Sequence, residues 1–235
     1  MTTGMLPTRA RRVSRQRRAI DIWHSEPEDL WNLAEQLQGR PVPGVRMTEA
    51  EFEDWCDEDV RAEWVDGEII IMAPANFEHD NLNTWLTTLL RMFIEETDLG
   101  IVCANVSVRF GTLRRRRDPD LFFISKDRQH LMRPTYFEGA PDMAIEIVSP
   151  DSQSRDRREK FTEYEKAGVR EYWIIDLLSK TAELYRLERK RFQAVDELDG
   201  VLASSVVRGF RLKPSQLWRK PLLKVSSVLR QLGAK

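Results

Sequence analysis

Met143-Ala144-Ile145-Glu146-Ile147-Val148 reads as a β-strand in which apolar residues are interrupted by a single carboxylate. Side chains alternate across a strand, so Met143, Ile145 and Ile147 share one face and Ala144, Glu146 and Val148 the other. Glu146 therefore sits in an apolar frame. A carboxylate there is costly unless a cation or a metal ion pairs with it. A second strand, Pro119 to Ile124, repeats the pattern: Asp120 precedes Leu121-Phe122-Phe123. Two acids set against buried runs suggest a shared ligand.

Downstream of Glu146, Ser154 can cap a helix running to Ala167 and ending at Gly168. Asp156, Lys160 and Tyr164 fall on one face of that helix, at four-residue spacing, with Phe161 beginning its apolar flank. Two strand acids and a helix lysine have the chemistry to hold a hard divalent cation and an attacking water beside a phosphodiester. In this reading Asp156 and Tyr164 orient Lys160.

Upstream, Thr48 and Glu51 form a capping-box signature for a helix to about Cys56. Asp66-Gly67, between Trp64-Val65 and Ile69-Ile70-Ile71, marks a hairpin. Leu82, Trp85, Leu86, Leu89, Leu90 and Phe93 recur at helical spacing and define a long amphipathic helix over Phe77 to Glu96. One strand is expected over Ile101 to Phe110, and Arg114-Arg115-Arg116-Arg117 falls in the turn before Asp120, where it is read as a phosphate-gripping site. Strands at Glu171 to Leu177 and Ala182 to Leu187, a hairpin from Arg191 to Val207 and a short helix after Pro214 follow. The fold class is mixed α/β: a central mixed sheet flanked by helices.

Domain organisation follows from composition. The segment from Arg9 to Arg18 carries six arginines and no acid, too repulsive to fold alone and suited to strapping onto phosphates. A short helix, Pro27 to Leu37, and breakers at Pro41 to Gly44 lead to an expected division into residues 1–45 (basic arm and helix), 46–220 (the main domain) and 221–235 (a tail). With a net charge of -1 over 235 residues, the whole molecule has no bias towards nucleic acid, so attraction has to be local. Cys56 and Cys103 form no metal-binding or disulfide pattern, and no apolar run reaches the ~20 residues that span a bilayer. A cytoplasmic protein without membrane contact is expected.

The order and spacing of Trp64-Val65-Asp66-Gly67-Glu68, Pro119-Asp120, Ala144-Ile145-Glu146-Ile147-Val148-Ser149-Pro150, Lys160-Phe161-Thr162-Glu163-Tyr164 and Gly168-Val169-Arg170-Glu171-Tyr172-Trp173 resemble the Uma-type restriction endonuclease family of the PD-(D/E)XK nuclease superfamily. The resemblance spans roughly Met47 to Trp218. It implies a restriction-endonuclease-like core and a Mg²⁺-dependent endodeoxyribonuclease, with Mn²⁺ as substitute, acting on DNA, and a homodimer if both strands are cut. By position it makes Asp120 and Glu146 the metal-binding acids, helped by the Ile147 backbone carbonyl. Glu63 becomes the weaker third ligand of the site, and His79 a supporting residue of unassigned role. The superfamily lysine belongs two residues after Glu146, where this chain has Val148; the resemblance moves it to Lys160. The rival readings are a non-cleaving DNA-binding module of the same fold, serving a mobile element or repair complex, and a structural domain.

Overall fold

The structure is a computed structural model that describes residues 20–57, 59–148 and 155–233. The Arg9 to Arg18 arm and the Ser154 cap lie outside the described residues, as does the side chain of Asp156.

Helices α1 (Pro27–Leu37) and α2 (Glu49–Trp55) precede the hairpin β1 (Ala62–Val65) and β2 (Glu68–Ile71). The capping box forms, with Thr48 accepting from the Glu51 backbone and Glu51 from that of Thr48. Asp66 and Gly67 take positive φ of 51° and 94°, the conformation that a two-residue hairpin turn with right-handed strand twist demands. Helix α3 (Phe77–Thr97) matches the apolar periodicity and buries its Leu82 to Ile94 stripe.

Between α3 and Asp120 the chain departs from expectation. The stretch expected as one strand is broken by Asn105 at φ 58° into β3 (Gly100–Ala104) and β4 (Ser107–Phe110), which belong to different sheets. Gly100 is obligatory: a Cβ there would stand 2.1 Å from the Ile124 carbonyl oxygen. The arginine run is no turn either. After a 3₁₀ turn at Gly111–Leu113, Arg115–Arg117 form strand β5. Then come β6 (Leu121–Ser125), β7 (Tyr136–Glu138), β8 (Met143–Val148), a π-helical turn at Arg155–Lys160, α4 (Phe161–Ala167), β9 (Glu171–Asp176), β10 (Thr181–Glu188) and β11 (Arg191–Val195). The expected hairpin from Arg191 resolves differently, since β11 pairs with β10, and the small pair β12 (Leu202–Ala203) and β13 (Arg211–Leu212) follows. Helices α5 (Pro214–Leu217) and α6 (Val225–Leu232) complete the chain.

A six-stranded mixed sheet has the order β11-β10-β9-β8-β6-β3, and a five-stranded sheet the order β2-β1-β5-β4-β7. Only β8 and β9 run parallel within the first, linked by the crossover through α4 as parallel pairing requires. The alternation read in β8 appears in space. Met143, Ile145 and Ile147 join the core formed with α3 and α6, while Ala144 and Val148 join a second core with Val108, Phe110, Tyr164 and Tyr172. A third core lies between the five-stranded sheet and the N-terminal helices, with Leu30, Ala34 and Val42 packed with Phe52, Trp64 and Ile69. Burying each such side chain contributes roughly 1.5–3 kcal/mol. Residues 22–42 are thus integral to the folded unit, not an appendage to a domain beginning at 46, and Val228 and Leu229 of the expected tail are core residues.

Candidate active site

The second core lies between the two sheets, and the candidate acids converge at its edge. Leu121 pairs with Ile145 in antiparallel register, so Asp120, one residue earlier, stands opposite Glu146. The Ile147 N–H donates to Asp120 Oδ2 at 2.7 Å. Two residues far apart in sequence are thereby locked together by strand pairing.

Glu146 is 2% exposed, and its carboxylate has two donors from the following helix. Lys160 Nζ donates to Oε2 at 3.0 Å and the Tyr164 hydroxyl to Oε1 at 2.6 Å. The π-helical turn ends at Lys160, so the lysine and Tyr164, one α-helical turn on, present to the same point. Tyr164 and Lys160 are thus held on the two oxygens of one carboxylate. Burial, followed by the neighbouring Glu146 charge, pushes the Tyr164 hydroxyl well above its ordinary pKa, so it remains a donor.

Lys160 is no surface cation: it is 1% exposed and also meets Glu63 Oε1 at 3.1 Å. Glu63 faces the site from β1, as expected, but its carboxylate is engaged otherwise than as a metal ligand. Oε2 accepts from Arg117 Nη1 at 2.7 Å, and Oε1 from the Asp118 N–H at 3.3 Å as well as meeting Lys160. In this geometry Glu63 anchors Lys160.

The arginine run is corrected in the same way. Alternation along β5 sends Arg115 and Arg117 towards Glu163 of α4: Arg117 Nε and Nη2 grip both Glu163 oxygens at 2.7 and 3.0 Å, and Arg115 Nε donates to Oε1 at 2.8 Å. Arg117 is fully buried. Arg116 points the opposite way, over the Phe52 and Tyr136 rings at 5.7 and 4.5 Å. Neither Arg116 nor Arg117 is accessible to a phosphate. Arg114 alone of the four is largely exposed, bonded to Asp66 at 2.6 Å and stacked over Trp64.

Sequence reasoning gave Arg117 a phosphate-gripping role and missed Glu163 and Asp118 as its surroundings. Nothing local signalled them, because Arg115 to Asp118 are all charged and the strand period cannot be read from four charged residues in a row. Asp118 accepts from the Ser107 hydroxyl at 2.5 Å. Burial raises its carboxyl pKa, the Ser107 hydrogen bond resists, and the Glu63 charge adds to the rise.

His79, in the first turn of α3, reaches Asp120 Oδ1 through Nε2 at 3.3 Å. Burial pushes its pKa down, but the hydrogen bond and charge of Asp120, with a hydrogen bond to the Ile147 backbone, outweigh that and hold it above the ordinary histidine value.

A hydrated cation of the Mg²⁺ type keeps several waters and takes one or two carboxylates. Asp120, the Ile147 carbonyl and Glu146 fit that donor set. Among the described residues no three His, Cys, Asp or Glu side chains converge as a ready-made cage. No helix among the described residues is long and apolar enough to cross a membrane.

Residues 49–215, containing every member of this constellation, match the family described as "Uma2: Putative restriction endonuclease". The chain belongs to the Uma2 family. An uncharacterized protein of Synechocystis sp. is 22% identical over 146 residues, covering 61% of this chain and 76% of its own. The crystal structure of a "putative nuclease belonging to DUF820" from Anabaena variabilis superposes with a TM-score of 0.62 at 20% identity, over 73% of this chain and 97% of that one. At that identity the likeness shows a shared fold. The Uma2 chain therefore shares the mixed-sheet, helix-flanked fold of that structure.

Proposed function

We propose that this Uma2 protein is a metal-dependent endonuclease that hydrolyses DNA phosphodiester bonds. One observation carries the reading: the Lys160 ammonium, delivered from the helix after β8, is buried against Glu146 while Asp120 stands opposite in register. The lysine missing at Val148 is thus replaced in space by one that enters from the helix side.

Asp120, Glu146 and the Ile147 carbonyl would hold the cation, whose chemistry when bound is to polarise the phosphate and lower the pKa of a water. The chain's own groups do the remainder. Asp120 is aimed by the Ile147 N–H at Oδ2. Tyr164 and Lys160 fix both oxygens of Glu146, which removes the rotamer entropy of positioning it during reaction. In this reading Lys160 Nζ is the donor to charge that develops on the attacked phosphoryl group, and its buried contacts with Glu146 and Glu63 preorganise it. Glu63, itself fixed by Arg117, holds that ammonium in place. Cutting both strands of a duplex calls for two copies related by a two-fold axis.

Supercoiled plasmid incubated with the full chain and Mg²⁺ or Mn²⁺ tests this. Nicked or linear product that vanishes with chelator and in Asp120→Asn is expected; salt-dependent binding without cleavage in either metal would instead support the docking module.

A further inference from the structure

Arg116 and Arg117 turn inward, so on a chain of net charge -1 the attraction for a polyanion has to come from another surface. The β10–β11 hairpin supplies one. Arg186-Leu187-Glu188-Arg189-Lys190-Arg191 carries four cations and one acid, and Arg189, Lys190 and Arg191 are exposed. Arg170 adjoins them, since its carbonyl accepts from the Leu187 N–H at 2.9 Å. Arg170 and Arg191 pair with Asp142 and Glu165, yet their side chains stay 60% and 77% exposed while those carboxylates are 0% and 10% exposed. The acids Asp196, Glu197 and Asp199 follow β11 at its other end, which confines the positive surface to the turn and its α4 side.

The turn itself supplies a second observation. Glu188 pairs with Arg191, so Arg189 and Lys190 are the central residues of a two-residue hairpin turn, at φ of 48° and 64°. Such a turn demands positive φ at both positions, and Asp-Gly or Asn-Gly meets the demand at least steric cost. The chain does this at Asp66-Gly67, with 51° and 94°, and at Asp199-Gly200, with 54° and 70°. At the β10–β11 turn it holds two long cationic side chains in the left-handed region, where a Cβ is disfavoured. Neither has a hydrogen bond or ion pair from its side chain among the described residues, so no partner within the fold offsets the strain. Strain kept without an internal partner points to a ligand outside the fold. Arg189 and Arg191, with Glu188 and Gln193, line an open depression of about 450 Å³, polar and unenclosed, unlike a small-molecule pocket.

Strand register places this surface relative to the acids. Glu146 is opposite Ile174, and Ile174 opposite Glu183. From Glu183 to Arg189 the chain advances about 20 Å along β10. Helix α4 bridges the same interval, with Lys160 before its start and Glu165 near its end bonded to Arg191 and the Phe192 N–H. On a duplex that span is about six base pairs.

We propose that the β10–β11 hairpin is a DNA-backbone contact, in which Arg189 and Lys190 hold phosphates about six base pairs from the phosphate at Asp120 and Glu146. The inference takes its ligand from the nuclease reading above.

Fluorescence anisotropy of a labelled duplex of about 20 base pairs, with the full chain in chelator across a KCl series, reads the contact without cleavage. Arg189→Gln/Lys190→Gln is expected to bind about tenfold more weakly, with the slope of log affinity against log salt flattened by about two. Arg189→Asn/Lys190→Gly should lose the same affinity while unfolding at a higher denaturant concentration, which separates the loss from a failure to fold. Wild-type affinity and slope in the Gln variant, a loss confined to the Asn-Gly variant, or a wild-type chain that binds no duplex overturns the proposal. If the wild type still cleaves plasmid in that case, the nuclease reading stands without it. Hairpin-dependent binding by a chain that cleaves in neither metal keeps the contact and overturns the nuclease reading alone.

Discussion

Lys160 Nζ lies 3.0 Å from Glu146 Oε2, and both side chains are almost completely buried. A buried ion pair is weak evidence of stabilisation by itself, because desolvation opposes the Coulomb attraction. Breaking it is another matter, and the pair's position beside Asp120 ties stability to chemistry.

Lys160→Met is expected to lower the single-turnover cleavage rate by at least ~100-fold with little change in Mn²⁺ affinity, as for a group that acts mainly on the transition state. It should also destabilise the fold by about 3 kcal/mol, because Glu146 and Glu63 lose the cation between them. Rapid-quench kinetics and urea denaturation measure the two effects. A wild-type rate with unchanged stability would return Lys160 to the solvated charge it resembles in sequence.

Val148 shares the strand face of Glu146 and is 1% exposed. Placing Val148→Lys in the Lys160→Met background puts an ammonium back near the same carboxylate from the sheet side, and part of the lost rate should return, at a cost in stability from crowding the second core. The readout is single-turnover rate on the folded double variant. Recovery in Val148→Arg alone would argue that charge matters and the ammonium does not.

Arg117 joins three elements, bonding Glu63 of β1 and Glu163 of α4 from β5. Arg117→Met should destabilise by about 3 kcal/mol, since Glu63 and Glu163 lose the buried cation they share and keep only Lys160 and Arg115. Arg117→Lys should recover only a minor part, because an ammonium cannot reproduce the two-pronged grip on Glu163. Equal stability of the Lys variant and wild type, by denaturant midpoint, would show that the charge alone suffices.

Acid sensitivity should trace to Asp142, which is fully buried. Burial pushes its carboxyl up, but hydrogen bonds from the Ser125 backbone and hydroxyl, with Arg128 and Arg170, outweigh it and hold the pKa below the ordinary 3.8. A depressed folded-state pKa stabilises above the unfolded value and loses that contribution as pH falls through the folded one. Asp142→Asn should therefore cost about 2 kcal/mol at pH 7, with the gap to wild type closing below pH 3.8. A gap independent of pH from 5 to 3 would assign the loss to packing.

Sequence alone determined the elements whose signals are local: the capping box at Thr48 and Glu51, the Asp66-Gly67 hairpin, the α3 stripe and the two-faced β8. Each follows from the helical or strand period acting over a few neighbours, and the site acids followed because a carboxylate in an apolar strand is conspicuous. What only the tertiary structure decided is how the charges pair. Arg117 reads as a solvated residue of a basic run until Glu63, 54 residues away, and Glu163, 46 residues away, close on it. Asn105 divides one apparent strand between two sheets, and the N-terminal helix reads as separate until its stripe meets Trp64 and Ile69. The physical reason is the same in each case. Periodicity reports which face of an element is apolar, whereas the burial of a charge or the partner of a strand depends on groups brought together only when the chain folds.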